Sequence, residues 1–140
     1  KNLLLVLDTN QYLFAFGLLR KPSCEYLLNI LEDKRCGHII RIPRLILNEV
    51  RNHLSPEAFR EFIKFIYNFT LPDEDNTVPF EIGTKYEILS LKPADAFIAA
   101  YTEWTGANAL VTENRHFLGR QGNLPFKILN AESCLRIIGK

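Results

Sequence analysis

Apolar residues follow two patterns along the chain. They form short uninterrupted runs, and in longer segments they recur with helical spacing. The first run, 3–7, is uninterrupted, has the length of a strand and stops abruptly at Asp8-Thr9-Asn10. A run that is apolar on both faces favours a central, buried, parallel strand, although periodicity alone leaves a buried helix segment open. Similar short runs predict further strands at 38–42, 109–112 and 126–129.

Apolar residues three and four positions apart predict the helices between these strands. One helix is expected from Pro43 to about Leu54, and another from Pro93 until Gly106 ends it. Ser23 fits the N-cap of an earlier helix, which Cys36-Gly37 would terminate. The polar, acidic residues 71–77 are interpreted as the clearest loop. Four further helices are predicted. The first contains Tyr12 and Phe16, the second begins at Ser55, the third covers about 79–89 and the last covers 131–138. Short strands that alternate with helices predict an α/β fold with a mainly parallel sheet.

Length and composition narrow the class of protein. With 140 residues, 47% of them hydrophobic, and no linker-like stretch, we expect one domain over 1–140. No segment has the length of a charge-free transmembrane helix and no signal-peptide pattern is present, so no membrane association is expected. Three scattered cysteines without a CxxC pair favour a reducing cytoplasm. The net charge of +1 does not argue for nucleic-acid binding, so any phosphate-binding surface must be local.

Four polar residues form the candidate site: Asp8, Glu49, Asp95 and Asn114. Asp8 and Asn114 follow predicted strands, and Asp95 lies in the first turn of its helix. We expect these three at the carboxyl edge of the sheet, where α/β folds bind ligands. Glu49 lies at the edge of the apolar stripe of its helix. A pocket of hard oxygen ligands suits Mg²⁺ or Mn²⁺, and such an ion supports hydrolysis of a phosphodiester.

Each of the four residues also has an ordinary structural explanation. Asp8 could simply cap the following helix, and Asp95 would gain about 0.3–1 kcal/mol from a helix dipole. Asn114 could be a turn or cap residue. Glu49 could be a solvated helix glutamate paired with Arg44 or His53. The convergence of all four on one predicted crevice is what favours a site.

The ordered set of motifs resembles the PIN-domain ribonucleases, especially the VapC-like toxins of bacterial and archaeal toxin–antitoxin pairs. The segments that carry the resemblance are LLLVLDTN at 3–10, IP at 42–43 with NEV at 48–50, KPADAFIAA at 92–100 and LVTENRHF at 110–117. The resemblance implies a three-layer α/β/α sandwich, a divalent metal, Mg²⁺ or Mn²⁺, and water-mediated cleavage of RNA. It also implies that Asp8, Glu49 and Asp95 form the metal-binding acidic cluster.

The resemblance assigns supporting roles as well. Asn10 and Thr112 match positions that usually support the acidic cluster by hydrogen bonding. Asn114 stands where many members have a fourth Asp, so one negative charge is lost and a second metal site is in doubt. The adjacent Glu113 could substitute, but along an extended turn we expect its side chain to point elsewhere. Possible contacts with RNA phosphate, each with simple solvation as the alternative, are Arg44, Arg51, Arg115 and His116.

We therefore expect a metal-dependent endoribonuclease that is the toxin of a two-gene module, with RNA as substrate and a small antitoxin protein as inhibitor. A homodimer is expected because it is common among relatives. One alternative is a weak or inactive module that keeps the fold and binds RNA or protein, to which Asn114 gives weight. Another is a nuclease that processes RNA without an antitoxin.

Overall fold

The computed structural model describes residues 2–89, 91–120 and 122–139. At its centre lies a five-stranded sheet in which all neighbouring strands run parallel. The strands are β1 (Leu4–Leu7), β2 (Ile39–Pro43), β3 (Thr70–Asp73), β4 (Ala109–Val111) and β5 (Lys127–Leu129). Their spatial order, β3-β2-β1-β4-β5, places β1 in the middle. This position explains why Leu5, Val6 and Leu7 are fully buried.

Helices cover both faces of the sheet. Within the described residues the α-helices are α1 (Thr9–Phe16), α2 (Pro22–Leu31), α3 (Arg44–Arg51), α4 (Pro56–Phe69), α5 (Phe80–Glu87), α6 (Pro93–Thr105), α7 (Arg115–Leu118) and α8 (Ala131–Ile138). Because parallel crossovers are right-handed, the path from β1 to β3 places α1–α4 on one face, and the return to β4 places α5 and α6 on the other. α6 contacts β2 and β4, while α8 packs back against α2. The predicted three-layer α/β/α sandwich is confirmed.

Aromatic side chains hold α1 against α4. The ring of Tyr12 packs edge-on against Phe62, with centroids 5.3 Å apart, and against Phe65, at 6.4 Å. Phe62 also packs against Phe16 of α1 at 5.9 Å. This cluster fixes the orientation of α1, whose first turn begins at the end of β1.

No helix in the described part of the chain is long and apolar enough to cross a membrane.

A polar network ties the edge strand β3 to β2 and α6. Arg41 donates to the two carboxylate oxygens of Asp73 at 3.0 and 2.8 Å, and the Tyr101 hydroxyl donates to Asp73 Oδ2 at 2.6 Å. The guanidinium of Arg41 also lies 5.3 Å from the ring centroid of Trp104. Burial alone would raise the pKa of Asp73, but the hydrogen bonds from Arg41 and Tyr101 outweigh it and hold that pKa below its usual value.

The structure corrects three local predictions. Residues 71–77 are not simply a loop, because Thr70–Asp73 form β3 and Asp75–Thr77 form a 3-10 turn. Pro72 disguised this strand, but an edge strand needs hydrogen bonds on one side only and so tolerates proline. Lys21, and not Ser23, occupies the N-cap position of α2, without a side-chain hydrogen bond and with proline next in the chain, and α2 ends well before Gly37. The polar turn after β4 contains the short helix α7.

Candidate active site

Asp8 lies at the carboxyl end of the central strand β1 and begins α1. Its N–H donates to the carbonyl oxygen of Val111 in β4 at 2.9 Å. Its Oδ1 accepts the Thr9 N–H at 2.7 Å, and its Oδ2 accepts the Thr112 hydroxyl at 2.7 Å. The side chain is only 6% exposed. The capping role is therefore real, and it holds a buried carboxylate at the edge of the sheet.

Glu49 reaches this edge from α3. The Thr9 hydroxyl donates to its Oε1 at 2.5 Å. The two partners that would make Glu49 an ordinary surface residue do not contact its carboxylate. Arg44 pairs instead with Glu74, with Nη2 2.6 Å from Oε2, and the Nδ1 of His53 lies 2.8 Å from the backbone oxygen of Glu49. The role of Thr9 was not predicted, although a hydroxyl directly after Asp8 was a readable signal.

Asp95 lies in the first turn of α6, as predicted. Its charge acts on Asp8. Burial raises the pKa of the Asp8 carboxyl, and the hydrogen bonds from Thr112 and Thr9 offset only part of that rise. The negative charges of Asp95 and Glu49 raise the pKa of Asp8 further. The charges of Asp95 and Glu49 thus both act on Asp8, and these three residues are called the acidic cluster below.

In the described part of the chain, the acidic cluster has no cationic side chain paired with it. Within the described residues, no lysine, arginine or histidine forms an ion pair with Asp8, Glu49 or Asp95. In the same part of the chain, no three His, Cys, Asp or Glu side chains converge as a ready-made metal site. Mg²⁺ is commonly held through one or two carboxylates, with waters completing its octahedron. Carboxylate oxygens are the donors that such an ion prefers, and with the side chains as they stand an ion would have to be held largely through water.

The two predicted supporting residues differ in their contacts. Thr112 is fully buried and donates to Asp8, while its Oγ1 accepts the Asn114 N–H at 3.0 Å. Asn10 lies in the first turn of α1, but within the described residues its side chain forms no hydrogen bond with the acidic cluster. Asn114 caps α7, because its Oδ1 accepts the His116 N–H at 2.9 Å. The structural explanation for Asn114 is thus also correct.

The predicted phosphate-binding side chains fall into two groups. Arg44 is engaged by Glu74, as described above. Arg51, Arg115 and His116 are exposed, and none of them forms an ion pair within the described residues. The Glu113 carboxylate accepts hydrogen bonds from Gln11, Lys21 and the Ala131 N–H, so it is not available as a fourth carboxylate of the acidic cluster.

A large groove lies apart from the acidic cluster. Its volume is about 620 Å³, and residues from the end of α1, from α2 and from the start of α4 line it. Its lining includes the apolar Leu28 and Phe65 and the acidic Glu25, Glu32 and Glu61. We assign the chemistry to the acidic cluster, because the acidic residues of the groove are exposed or half-buried, whereas Asp8 is buried.

Comparisons with known proteins agree with this architecture. The sequence profile of the PIN domain matches residues 5–121. The VapBC2 proteins from Rickettsia felis, solved bound to a DNA fragment from their promoter, align with a TM-score of 0.63 and 20% identity, over 91% of this chain and 98% of that chain. FitAcB from Neisseria gonorrhoeae aligns with a TM-score of 0.57 and 17% identity, over the same shares of the two chains, 91% and 98%. Identities this low show a shared fold. No curated protein matches the sequence.

Proposed function

The chain belongs to the PIN domain family, and on that basis we propose that it is a divalent-metal-dependent endoribonuclease. The observation that carries the proposal is the acidic cluster itself. Asp8 is 6% exposed, burial and the charges of Asp95 and Glu49 raise its pKa, and no cationic side chain among the described residues pairs with it. A buried carboxylate that also feels like charges is costly to ionise unless a cation compensates it. A bound metal ion is the natural compensation.

In this proposal Asp8, Glu49 and Asp95 hold Mg²⁺ or Mn²⁺, directly or through water. The bound ion would supply an activated water and stabilise charge on the scissile phosphate. The chain's own part is to orient the oxygens. Thr112 and the Thr9 N–H fix the two oxygens of Asp8, and the Thr9 hydroxyl fixes Oε1 of Glu49.

The remaining predicted residues would act on the substrate. Asn114 would position a water with the lone pair of Oδ1 that does not serve the cap of α7. Arg51, Arg115 and His116 would contact RNA phosphates, which fix the register of a strand without reading its sequence. Arg44 is a weaker candidate because it would first have to leave Glu74.

We propose that the protein is the toxin of a toxin–antitoxin pair in the cytoplasm, one PIN-like domain over 1–140, and a homodimer. The structural likeness to VapBC2 and FitAcB supports an antitoxin partner. Leu18, 101% exposed, lines the 620 Å³ groove, and its neighbour Leu19 is 80% exposed. Of the acidic groove residues, Glu25 pairs with Arg20 and Glu61 with Lys64, so the exposed leucines are the feature that would suit an apolar antitoxin segment. All three cysteines are free thiols, which suits a reducing compartment.

A second candidate function is a binding module that keeps the fold but does not cleave. The specific observation in its favour is Asn114, a neutral residue whose Oδ1 is already used by the His116 N–H. A third possibility is RNA processing without an antitoxin, which the product of the neighbouring gene would decide. Calorimetric titration with Mn²⁺ separates the first two, because a pure binding module has no need of a metal in this pocket.

The decisive variant for the nuclease is Asp8→Asn. Asparagine keeps an oxygen for the cap of α1 but removes the charge that the metal needs. We expect this variant to fold and to lose metal-dependent cleavage of RNA, together with Mn²⁺ binding. Wild-type cleavage by a folded Asp8→Asn protein would contradict the assignment.

A further inference from the structure

Glu113 connects separate parts of the chain around the acidic cluster without facing it. Its Oε2 accepts two buried donors, the Nε2 of Gln11 and the backbone N–H of Ala131, each at 2.8 Å. Its Oε1 accepts the Nζ of Lys21 at 2.7 Å. One carboxylate, only 10% exposed, thus joins the segment after β4 to α1, to the residue before α2 and to the first residue of α8.

The carboxylate makes these contacts in its charged form. Burial alone would raise the pKa of Glu113, but the hydrogen bonds from Lys21, Gln11 and Ala131 outweigh it and hold the pKa below its usual value. Hydrogen bonds to an ionised acceptor are stronger than those between neutral groups.

The partners of Glu113 lead directly to Asp8. On one side, its chain neighbour Thr112 donates to Asp8 and accepts the Asn114 N–H. On the other side, Gln11 lies in the first turn of α1, where its backbone N–H donates to the Asp8 carbonyl oxygen at 3.0 Å. Glu113 therefore lies between the two segments that enclose Asp8, which are the first turn of α1 and the end of β4.

Gln11 depends on Glu113 for its orientation. The Gln11 side chain is fully buried, and its Oε1 has no hydrogen-bond partner within the described residues. The bond from Nε2 to Glu113 is thus the one hydrogen bond that this buried amide forms within the described residues. Without it the amide would be buried and unpaired, a costly state that the first turn of α1 would relieve by moving.

We propose that Glu113 is a positioning residue for the acidic cluster. Through Gln11 it locks the first turn of α1 against residues 112–114, which fixes the Asp8–Thr112 hydrogen bond and the place of Asn114. Its role in catalysis rests on the proposed ribonuclease function. Lys21 contributes little, because its side chain is 47% exposed and the ion pair lies at the surface.

Three variants separate the contacts of Glu113. Glu113→Ala removes all of them. Glu113→Gln can place its amide oxygen where Oε2 lies and so keep both buried donors, losing only the pair with Lys21. Lys21→Ala is the matched control, because it removes the same ion pair from the other side. The buried bonds, and not the charge pair, are expected to matter.

The first measurement is independent of activity and uses the metal-free protein. Amide hydrogen exchange, followed by NMR, reports the Thr9 N–H bound to Asp8 and the Asn114 N–H bound to Thr112. We expect Glu113→Ala to speed exchange at both amides by about tenfold or more, as local opening becomes easier. Lys21→Ala should stay within about threefold of wild type. Glu113→Gln should lie closer to wild type than to Glu113→Ala, because its bonds to Gln11 and Ala131 remain but a neutral acceptor makes them weaker.

The second measurement is cleavage of RNA under saturating Mn²⁺. Glu113→Ala should lower kcat by about ten- to a hundredfold, the effect of a small misplacement of reacting groups. KM should change little because Glu113 faces away from the substrate. Glu113→Gln should restore most of kcat. If Glu113→Ala does not fold, Gln11→Met breaks the central bond at similar volume and should show the same two effects.

Unchanged exchange at Thr9 and Asn114 in folded Glu113→Ala or Gln11→Met would overturn the proposal. Glu113→Gln behaving like Glu113→Ala would also overturn it, since the buried bonds would then not be the cause. Wild-type protein that does not cleave RNA would instead refute the proposed function. The exchange pattern would still decide whether Glu113 positions this segment.

Discussion

Replacing Thr112 by valine tests how the acidic cluster is held. Valine has nearly the same shape but no hydroxyl, so the change removes two hydrogen bonds at a fully buried position. Asp8 Oδ2 loses a donor at 2.7 Å and the Asn114 N–H loses its acceptor at 3.0 Å. Leaving a buried group unsatisfied costs about 1–3 kcal/mol each. Because Asn114 can partly reach water, we expect a total loss of about 2–4 kcal/mol.

This loss is measurable without unfolding the protein, since domains of this size are typically stable by about 5–15 kcal/mol. At about 3–4 °C per kcal/mol, the melting temperature should fall by roughly 6–16 °C. Urea denaturation followed by circular dichroism gives the free energy directly. Mn²⁺ binding should weaken as well, because the Asp8 carboxylate loses the group that orients it.

Thr102→Val is the matched control. Thr102 is also fully buried, but its hydroxyl donates to the Ile98 carbonyl oxygen within α6 at 2.7 Å. That carbonyl oxygen already takes part in the backbone hydrogen bonds of the helix, so losing the bond from the Thr102 hydroxyl should cost less than about 1 kcal/mol. If Thr112→Val is no more destabilising than Thr102→Val, the hydroxyl of Thr112 does not hold Asp8 as described.

Three further predictions follow from the structure. Asp73→Asn should cost about 1–3 kcal/mol at pH 7. Because folding lowers the pKa of Asp73, its carboxylate stabilises the fold above its ordinary pKa of 3.8, and this contribution fades as the pH falls below that value. Urea denaturation should therefore show a smaller stability difference between wild type and Asp73→Asn at pH 3 than at pH 7. Arg115→Ala should weaken RNA binding severalfold in a filter assay, while Arg44→Ala should change it less, because Glu74 already occupies Arg44; equal effects would contradict this. Phe62→Ala should cost about 3–5 kcal/mol because the ring is fully buried against α1, whereas Tyr67→Ala, at an 86% exposed position, should stay within about 0.5 kcal/mol of wild type.

Much of the fold could be read from the sequence because its central elements carry strong local signals. The apolar run of β1 marks a strand buried on both faces, and Pro93 and Gly106 mark the ends of α6. Strand β3 was not predicted because it is a short, polar edge strand that contains Pro72. Its place is decided by pairing with β2 and by the contacts of Asp73, which no local pattern reveals.

The candidate site was predictable in its carboxylates but not in what orients them. Asp8 could be placed because it ends an apolar strand, and Asp95 because it opens a strong helix. The contact between Thr9 and Glu49 joins residues 40 positions apart, and that between Gln11 and Glu113 joins residues 102 apart. Such pairs arise from the packing of α1 against α3 and the end of β4, so they become visible only in the folded chain.

The most direct test of the central claim is cleavage of a mixed pool of structured RNA by the purified protein, in Mn²⁺ and in EDTA. Asp95→Ala, checked for folding by circular dichroism, is the control. We predict cleavage by wild type in Mn²⁺ alone, and none by the variant. Absence of cleavage together with absence of Mn²⁺ binding by calorimetry, or equal cleavage by Asp95→Ala, would contradict a metal-dependent nuclease and favour a binding module.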